Sequence, residues 1–318
     1  MKRLTIEDTI KETGIMVIDG AMSTALERLG CNLNDPLWTA VVLAREPEKV
    51  KQVHTDYFRA GADCGISCSY QATIPGLKAR GYSLQEAEDL IARSVRILRE
   101  AREEWWQTEG DSQGRAMPLC LGSAGPYGAY LADGSEYRGH YGVSKAALRD
   151  FHTRRAEILW EAGSDILLFE TQPSLEEAVT EAEIAEDMGA DYWVSFSCRD
   201  EKHISEGELL RNCAVELTRE RYPHIHMIGV NCTAPELIEP LMDELKGATD
   251  LPIAIYPNSG EKYDPRLKKW NGLAGSVPFG EYALSYMKAG ASAVGGCCTT
   301  VQSHIREVAE ARRRFLGK

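Results

Sequence analysis

A predicted strand followed by a helical segment recurs eight times in the 318 residues, and this repeat limits the possible folds more than any other feature. The predicted strands are short, nearly continuously apolar and rich in Val and Ile, which is typical of parallel strands covered on both faces. They span residues 15–19, 64–69, 118–122, 165–170, 192–197, 227–231, 252–256 and 292–296. Eight strand–helix units in about 300 residues favour an α/β fold of the (β/α)8 TIM-barrel type.

Four of the junctions between a helix and the next strand have nearly the same sequence. They read Ala-Gly-Ala-Asp at 60–63, Ala-Gly-Ser-Asp at 162–165, Met-Gly-Ala-Asp at 188–191 and Ala-Gly-Ala-Ser at 289–292. Glycine after a helix supplies the left-handed residue that ends it and turns the chain into a strand. A doubly wound open sheet is the alternative, but the chain has neither a GxGxxG loop nor a P-loop. Because no linker divides it, we expect one domain over residues 1–318.

Charge and cysteine content restrict the partners and the compartment. The formal net charge is −12, which argues against nucleic acid or an anionic membrane as the main partner. No apolar run reaches the roughly 18–20 residues of a membrane span, and the first residues lack a signal-peptide core. Nine cysteines without disulfide-framework spacing indicate a reducing compartment. We therefore expect a cytoplasmic protein, a monomer or small homo-oligomer, that acts on small molecules.

Three cysteines follow predicted strands and form a candidate metal site. Cys232 ends the sixth strand, and Cys297 and Cys298 follow two glycines at the end of the eighth. In a barrel the carboxyl ends of all strands meet at one face, so these thiols become neighbours. Three thiolates that leave a fourth position open are typical of catalytic rather than structural zinc. Buried packing or a vicinal disulfide are the alternatives for these cysteines.

Two carboxylates also stand at strand ends. Glu170 follows four apolar residues directly, where an isolated buried charge is costly unless a cation pairs with it. That cation is either an internal Arg or Lys or the ammonium group of a substrate. Asp19 raises the same question, and for it the alternative is helix capping, since an Asp before Gly20 can accept from the next amides.

Residues 127–141 are long and aromatic enough for a lid at the barrel mouth, with a plain surface loop as the alternative.

These residues closely resemble the homocysteine S-methyltransferases over essentially the whole chain. The matching motifs are Asp-Gly-Ala-Met at 19–22 with Glu27, Arg-Ala-Gly-Ala at 59–62, Ser-Tyr-Gln-Ala-Thr at 69–73, Gly-Pro-Tyr-Gly-Ala-Tyr-Leu-Ala-Asp-Gly-Ser-Glu-Tyr-Arg-Gly at 125–139, Glu-Thr at 170–171, Gly-Val-Asn-Cys at 229–232, Tyr-Pro-Asn-Ser-Gly-Glu at 256–261 and Gly-Gly-Cys-Cys at 295–298. The 127–139 run is more similar to the branch that uses S-methylmethionine or S-adenosylmethionine. Gln172 departs from the family pattern, in which Leu is common after Glu-Thr.

The resemblance implies zinc on the three cysteines and methyl transfer from a sulfonium donor to homocysteine, which gives methionine. It also implies that Glu170 holds the homocysteine ammonium and that the amides of Gly20 and Ala21 receive its carboxylate. The residues expected to contact substrate are Asp19, Gly20, Ala21, Ser67, Glu170, Asn231 and Ser259. A betaine-dependent methyltransferase, a non-catalytic zinc-binding barrel and a thiol–disulfide redox protein are the alternatives. The last is disfavoured because Cys297 and Cys298 lack C-x-x-C spacing.

Overall fold

A computed structural model describes residues 3–35, 37–264, 269–271 and 277–317. Eight parallel strands form one nearly closed barrel. The barrel strands are β1 (Met16–Val17), β2 (Cys64–Ile66), β3 (Leu119–Ala124), β4 (Ile166–Gln172), β5 (Tyr192–Phe196), β6 (Ile225–Asn231), β7 (Ile253–Tyr256) and β10 (Ala293–Val294). Their order in the sheet is β1-β10-β7-β6-β5-β4-β3-β2. Each of the eight predicted strands is present, so the predicted (β/α)8 fold is confirmed.

Helices connect successive strands and cover the outside of the barrel. They are α1 (Ile6–Thr13), α2 (Met22–Arg28), α3 (Thr39–Arg45), α4 (Pro47–Ala60), α5 (Ile74–Ala79), α6 (Leu84–Trp105), α7 (Tyr127–Leu131), α8 (Lys145–Glu161), α9 (Leu175–Met188), α10 (Leu210–Glu216), α11 (Ile238–Lys246), α12 (Phe279–Lys288) and α13 (Gln302–Leu316). None of the described helices is both long and apolar enough to span a membrane. A separate antiparallel pair, β8 (Lys262–Asp264) and β9 (Lys269–Asn271), lies after β7 and was not predicted.

The core has two layers, as this fold requires. Side chains such as Met16, Trp193 and Tyr256 form a buried cluster inside the barrel. A larger cluster lies between the strands and the helices and includes Val53 and Phe58 of α4. Because every barrel strand is covered on both faces, the strands read as continuous apolar runs rather than alternating ones.

Buried aspartates at the helix-to-strand junctions fasten neighbouring strands at the amino-terminal end of the barrel. The amide of Asp63 donates to the Val17 carbonyl oxygen at 2.7 Å, and its carboxylate accepts from the Val17 amide at 2.8 Å. These bonds join β1 to β2 and close the sheet. Arg115 and Arg312 pair with the same carboxylate. Asp165 repeats the pattern, since it accepts from the Cys120 amide. The similar junction sequences therefore mark a structural face, opposite the predicted site.

Candidate metal centre and active site

The three predicted cysteines meet at the carboxyl-terminal end of the barrel. The Sγ atom of Cys232 lies 2.7 Å from that of Cys297 and 3.3 Å from that of Cys298. All three sulfurs fall within 4.8 Å of one another. Each cysteine is a free thiol, which removes the vicinal-disulfide alternative in this structure. Cys232 is buried, whereas Cys297 and Cys298 are partly exposed, so the cluster has an open side toward the barrel mouth.

The backbone that carries these thiols is held in an uncommon conformation. Cys232 has φ 48°, in the left-handed region that L-residues rarely adopt, and Thr171 and Thr299 beside the site have φ 60° and 63°. Such residues cost of order 1–3 kcal/mol each and cluster at functional sites. The amide of Cys232 donates to the Tyr256 carbonyl oxygen at 3.3 Å, and that of Cys297 to Pro257 at 2.8 Å. Bonds to the neighbouring β7 end therefore hold both turns in place.

The two glycines before Cys297 allow close packing rather than a left-handed turn. A Cβ atom on Gly295 would lie 2.6 Å from the Ile18 carbonyl oxygen, and one on Gly296 would lie 2.4 Å from the Thr300 hydroxyl. Neither glycine has a positive φ. The absence of a side chain thus lets Gly295 lie close to Ile18, beside the first strand, and lets Gly296 lie close to Thr300.

Hydrogen bonding within the cluster divides the thiols unequally. Bonds from Cys297 and Cys298 lower the pKa of Cys232 well below its usual range, and the Tyr137 hydroxyl adds a bond to the same sulfur at 3.5 Å. The bond with Cys232 raises the pKa of Cys297. Asn231 lies 3.8 Å from the Cys297 sulfur through its side-chain amide. The hydrogen bonds within the cluster therefore favour the thiolate form of Cys232.

Glu170 faces the same pocket from the end of β4. Its carboxylate accepts a short hydrogen bond from the Ser123 hydroxyl. Burial raises the pKa of Glu170 to about 7, with a further contribution from Cys232, while Tyr256 and Arg155 act in the opposite direction. Within the described ranges no Lys or Arg forms an ion pair with it, and Arg155 instead donates to the Gly125 carbonyl oxygen at 2.9 Å. The internal ion pair considered for Glu170 is therefore absent from that part of the chain.

Asp19 does not cap a helix. Helix α2 begins at Met22 without a side-chain cap, and the Asp19 carboxylate instead accepts from the Ile66 amide at 2.9 Å. Its second oxygen is buried without a hydrogen-bond partner. Burial raises the pKa of Asp19 well above its usual range, and the nearby Glu170 adds to this effect. The capping interpretation is wrong because the strand amide, not the following turn, is the available donor.

The remaining predicted contact residues lie around the same strand ends. A Cβ atom on Gly20 would lie 2.9 Å from the Tyr57 hydroxyl, and the Ala21 amide donates to the Thr300 carbonyl oxygen at 3.2 Å. Ser67 accepts from the Ser123 amide at 2.9 Å, which couples it to the serine that bonds Glu170.

Asn231 and Ser259 hold the turns beside the thiols. Asn231 accepts from the Thr171 amide and donates to the Thr171 hydroxyl, both at 2.8 Å. The Ser259 amide donates to the Cys298 carbonyl oxygen at 3.2 Å. Both side chains are therefore engaged with the polypeptide that carries the thiols and Glu170.

Residues 127–141, here called the lid segment, reach across to the thiols. The segment contains α7 and a 3-10 turn over Ser135–Tyr137, and it brings the Tyr137 hydroxyl to Cys232. Glu177 of α9 fastens its start by accepting from the Tyr127 amide at 2.6 Å. The plain surface loop considered for these residues does not fit a segment that contacts the candidate metal ligands.

Comparison with known proteins agrees with this geometry. The chain matches the homocysteine S-methyltransferase family over residues 16–312. The chain belongs to this family. Homocysteine S-methyltransferase YbgG from Bacillus subtilis is 50% identical over 296 residues, which cover 93% of each chain. The homocysteine S-methyltransferase of Escherichia coli is 44% identical over 92% of this chain and 93% of its own. The chain is therefore a methyltransferase that acts on homocysteine.

Two further relatives bear on the metal and on the acceptor. The crystal structure of homocysteine methyltransferase MmuM from Escherichia coli, in a metallated form, superposes with a TM-score of 0.85. It is 40% identical and covers 96% of this chain and 99% of that one. A selenocysteine Se-methyltransferase from Brassica oleracea is 42% identical over 96% of this chain and 91% of its own. The fold is thus that of a homocysteine S-methyltransferase.

Other cysteines and two neighbouring histidines lie outside the thiol cluster. Cys64 of β2 is buried, and Cys68, which follows β2, is buried and donates to the Thr39 carbonyl oxygen. His224 and His226 pair with carboxylates near the start of β6, at the opposite end of that strand from Cys232.

Sequence reasoning missed three residues of this methyltransferase pocket. The Ser123 hydroxyl donates to Glu170. Tyr256 lies near both Glu170 and Cys297. Glu136, on the lid segment, lies near Cys232. Ser123 and Tyr256 belong to strands β3 and β7, and their position at strand ends was the available signal. No comparable signal marks Glu136, because its placement depends on how the lid segment folds back.

Two surface clefts lie away from this pocket. One, of about 740 Å³, is lined by charged residues of α4 and α6, such as Lys51 and Glu100. The other, of about 580 Å³, includes Arg115 and Arg313 beside α13. Both clefts lie on the outer, helical side, so neither competes with the strand ends as the site of methyl transfer.

Proposed function

We propose that the chain is a zinc-dependent homocysteine S-methyltransferase whose methyl donor is a sulfonium compound, S-methylmethionine or S-adenosylmethionine. The observation that carries the zinc assignment is the cluster of three thiols within 4.8 Å, open on one side. Three soft thiolate donors suit zinc, and the open side leaves a position for a substrate sulfur. The existence of a metallated form of the related Escherichia coli enzyme supports metal binding by this chain.

Cys232, Cys297 and Cys298 would hold the metal. Bound there, zinc would lower the pKa of a thiol brought to it, so that homocysteine is a thiolate at neutral pH without a dedicated base. Glu170 would bind the homocysteine ammonium with Asp19 beside it, and the Gly20 amide would receive the carboxylate. The Ala21 amide, expected from the resemblance to share this role, instead donates to the Thr300 carbonyl oxygen at 3.2 Å. Asn231 would orient the turn at Thr171, and Ser67 and Ser259 would keep their strand ends in register.

Methyl transfer then depends on alignment. The thiolate lone pair forms the new carbon–sulfur bond while the bond from the methyl group to the sulfonium breaks. The electron pair stays on the leaving sulfur, which becomes a neutral thioether. No proton moves in this step. This fits a pocket whose residues position the substrates and exclude water rather than exchange protons. The lid segment, which contacts Cys232 through Tyr137, is placed to cover the reacting atoms.

Metal analysis of single serine variants tests the zinc assignment. We expect Cys232→Ser, Cys297→Ser and Cys298→Ser each to lose most of the one zinc per chain. Cys198→Ser is the matched control, since Cys198 also lies near a strand end but outside the cluster. Full zinc retention in all three cluster variants would contradict the site.

A donor comparison tests the sulfonium assignment. The resemblance of the lid segment to the S-methylmethionine branch motivates it, together with aromatic rings that can contact a cation. We expect homocysteine to be methylated faster with S-methylmethionine or S-adenosylmethionine than with betaine. A faster reaction with betaine would overturn the donor and leave the family unaffected.

The compartment and assembly remain as inferred from the sequence. Nine free thiols, three of them in a metal-ligand arrangement, suit the reducing cytoplasm. A monomer or small homo-oligomer acting on small molecules agrees with a barrel whose pocket is built from its own strand ends.

A further inference from the structure

Glu136 places a second carboxylate near the thiols, on the lid segment rather than on the barrel. Its carbonyl oxygen accepts from the Ser197 hydroxyl at 3.0 Å, which ties it to the end of β5. Its amide packs against Gly128, where a Cβ atom would come within 2.6 Å of the nitrogen. Because the backbone is held on both sides of its Cα atom, Glu136 has a fixed place on the lid segment.

This carboxylate has no ion-pair partner among the residues that the structure describes. Among the same residues, one of its oxygens is buried without a hydrogen-bond partner. Arg138, two residues along, pairs instead with Asp133 at 3.6 Å and with the Ser135 hydroxyl at 2.8 Å. Within the part of the chain that the structure describes, no Lys, Arg or His forms an ion pair with Glu136.

The charges that surround Glu136 are mainly negative. Burial raises the pKa of Glu136 to about 7, and the nearby Cys232 and Asp133 act in the same direction, while a backbone hydrogen bond and Arg138 act in the opposite one. A half-buried carboxylate beside thiolates is costly unless a cation joins it. The pocket is therefore electrostatically incomplete without a positively charged ligand.

Two aromatic rings lie beside the same carboxylate. Burial raises the pKa of the Tyr70 and Tyr137 hydroxyls, and the Glu136 charge adds to this effect in both. Both tyrosines also lie near Cys232. Aromatic faces and a carboxylate together attract a soft, weakly hydrated cation better than either does alone.

We propose, resting on the sulfonium donor inferred above, that Glu136 is the donor-binding carboxylate and pairs with the sulfonium group beside Tyr70 and Tyr137. Homocysteine brings one ammonium, for which Glu170 on the barrel is already placed. The donor brings two further cations, its own ammonium and the sulfonium. Of these, the sulfonium must lie beside the thiols for its methyl group to reach the acceptor sulfur, and the lid carboxylate is its counter-charge. The lid segment therefore selects the donor while the barrel selects the acceptor.

The charge change of the reaction sets the kinetic signature of this residue. The sulfonium loses its positive charge when the methyl group leaves, because the departing sulfur keeps the electrons of the broken bond. Glu136 therefore stabilises the bound donor more than the transition state. Loss of an interaction that is stronger in the ground state therefore raises the KM for the donor, while kcat stays the same or rises.

Steady-state kinetics of Glu136→Gln with S-methylmethionine and homocysteine test the proposal. We expect the KM for the donor to rise about 10- to 100-fold, as for the loss of a charge-assisted pair in a partly desolvated pocket. The kcat should stay the same or rise, and the KM for homocysteine and the zinc content should change by less than about threefold. Glu136→Asp, which keeps the charge, should recover part of the donor affinity.

Asp133→Asn is the matched control, because it removes a charge from the same segment at an exposed position and keeps the oxygen that accepts from the Ser135 amide. Its donor KM should stay close to that of the wild type. Three results would overturn the proposal: an unchanged donor KM in Glu136→Gln, a rise confined to the KM for homocysteine, or an equal effect in Asp133→Asn. Wild-type protein that is inactive with sulfonium donors would instead refute the proposed donor, which the same assay reveals separately.

Discussion

Glu170 shows at the scale of one residue how a strand end becomes a binding group. Its carboxylate is buried, accepts from Ser123 and has no described Lys or Arg in an ion pair. We expect Glu170→Gln to keep the fold and the zinc but to lower kcat/KM for homocysteine about 30- to 150-fold, which corresponds to about 2–3 kcal/mol. Kinetics with 4-mercaptobutanoate, which lacks the amino group, provide the control, and the loss there should be far smaller.

The opposite pattern would assign Glu170 to the structure of the barrel. A marked fall in melting temperature with unchanged kinetics in the remaining folded enzyme would mean that the ammonium is bound elsewhere. Equal losses with homocysteine and 4-mercaptobutanoate would also contradict the pairing.

Residues that end a strand could be predicted from the sequence, whereas residues that depend on side-chain direction could not. Cys232, Cys297 and Glu170 each follow an apolar run, and parallel strands in a barrel bring such ends together. Tyr256 also ends a strand, but its proximity to Glu170 depends on the face of β7 on which its ring lies. The helix-capping alternative for Asp19 failed because its hydrogen-bond donor, Ile66, is 47 positions away in the chain.

The lid segment shows at the scale of an element how helix α9 supports the pocket from outside the barrel. Glu177 accepts from the Tyr127 amide at 2.6 Å and from His152 at 2.8 Å, and all of its side chain is buried. Glu177→Ala should free the start of the segment, increase hydrogen exchange over residues 127–141 and lower kcat/KM about tenfold, because a buried donor loses its acceptor.

Glu183→Ala is the control on the same helix. Glu183 pairs with Lys145 and Arg149 at the surface, so its loss should change neither exchange in the lid segment nor activity. Protection over residues 127–141 that remains at the wild-type level in Glu177→Ala, despite a lower melting temperature, would mean that Glu177 supports α8 rather than the lid.

Element boundaries were predicted less well than element order. Strand β1 has only two residues where five were expected, and β4 continues two residues beyond Glu170. The extension of β4 follows an irregular register with β5 between Phe169 and Gln172, which local sequence does not encode. The β8–β9 pair was missed because its residues, Lys-Tyr-Asp and Lys-Trp-Asn, lack an apolar pattern.

Closure of the barrel is a property of the whole molecule that the repeat alone could only suggest. Strand β1 pairs with β10 across nearly the full chain, Val17 with Val294, and Asp63 supplies the bonds between β1 and β2. The eight apolar runs predicted parallel strands with helical cover. The shared junction sequence did not reveal that its aspartates bond the adjacent strand, because that contact joins residues 46 positions apart.

The stability of the whole molecule should depend on pH through His54, which lies on α4 inside the core. Its side chain is fully buried, neither ring nitrogen has a hydrogen-bond partner, and burial lowers its pKa to about 3. The unfolded chain takes up a proton below about pH 6.5, whereas the folded protein does not until about pH 3. Stability from this residue is therefore complete above pH 6.5 and falls by about 1.4 kcal/mol for each pH unit below it.

Comparison of the wild type with His54→Leu isolates this contribution. The buried acids Asp19, Glu170 and Glu181 have raised pKa values and act in the opposite sense, since folding favours their protonated forms as the pH falls. Their contributions cancel in the difference between the two proteins. Between pH 7.5 and pH 5.0 the wild type should lose about 2 kcal/mol more free energy of unfolding than His54→Leu, measured by urea denaturation. Parallel profiles would mean that folded His54 binds its proton as readily as the unfolded chain, and the apolar environment assigned to it would then be wrong.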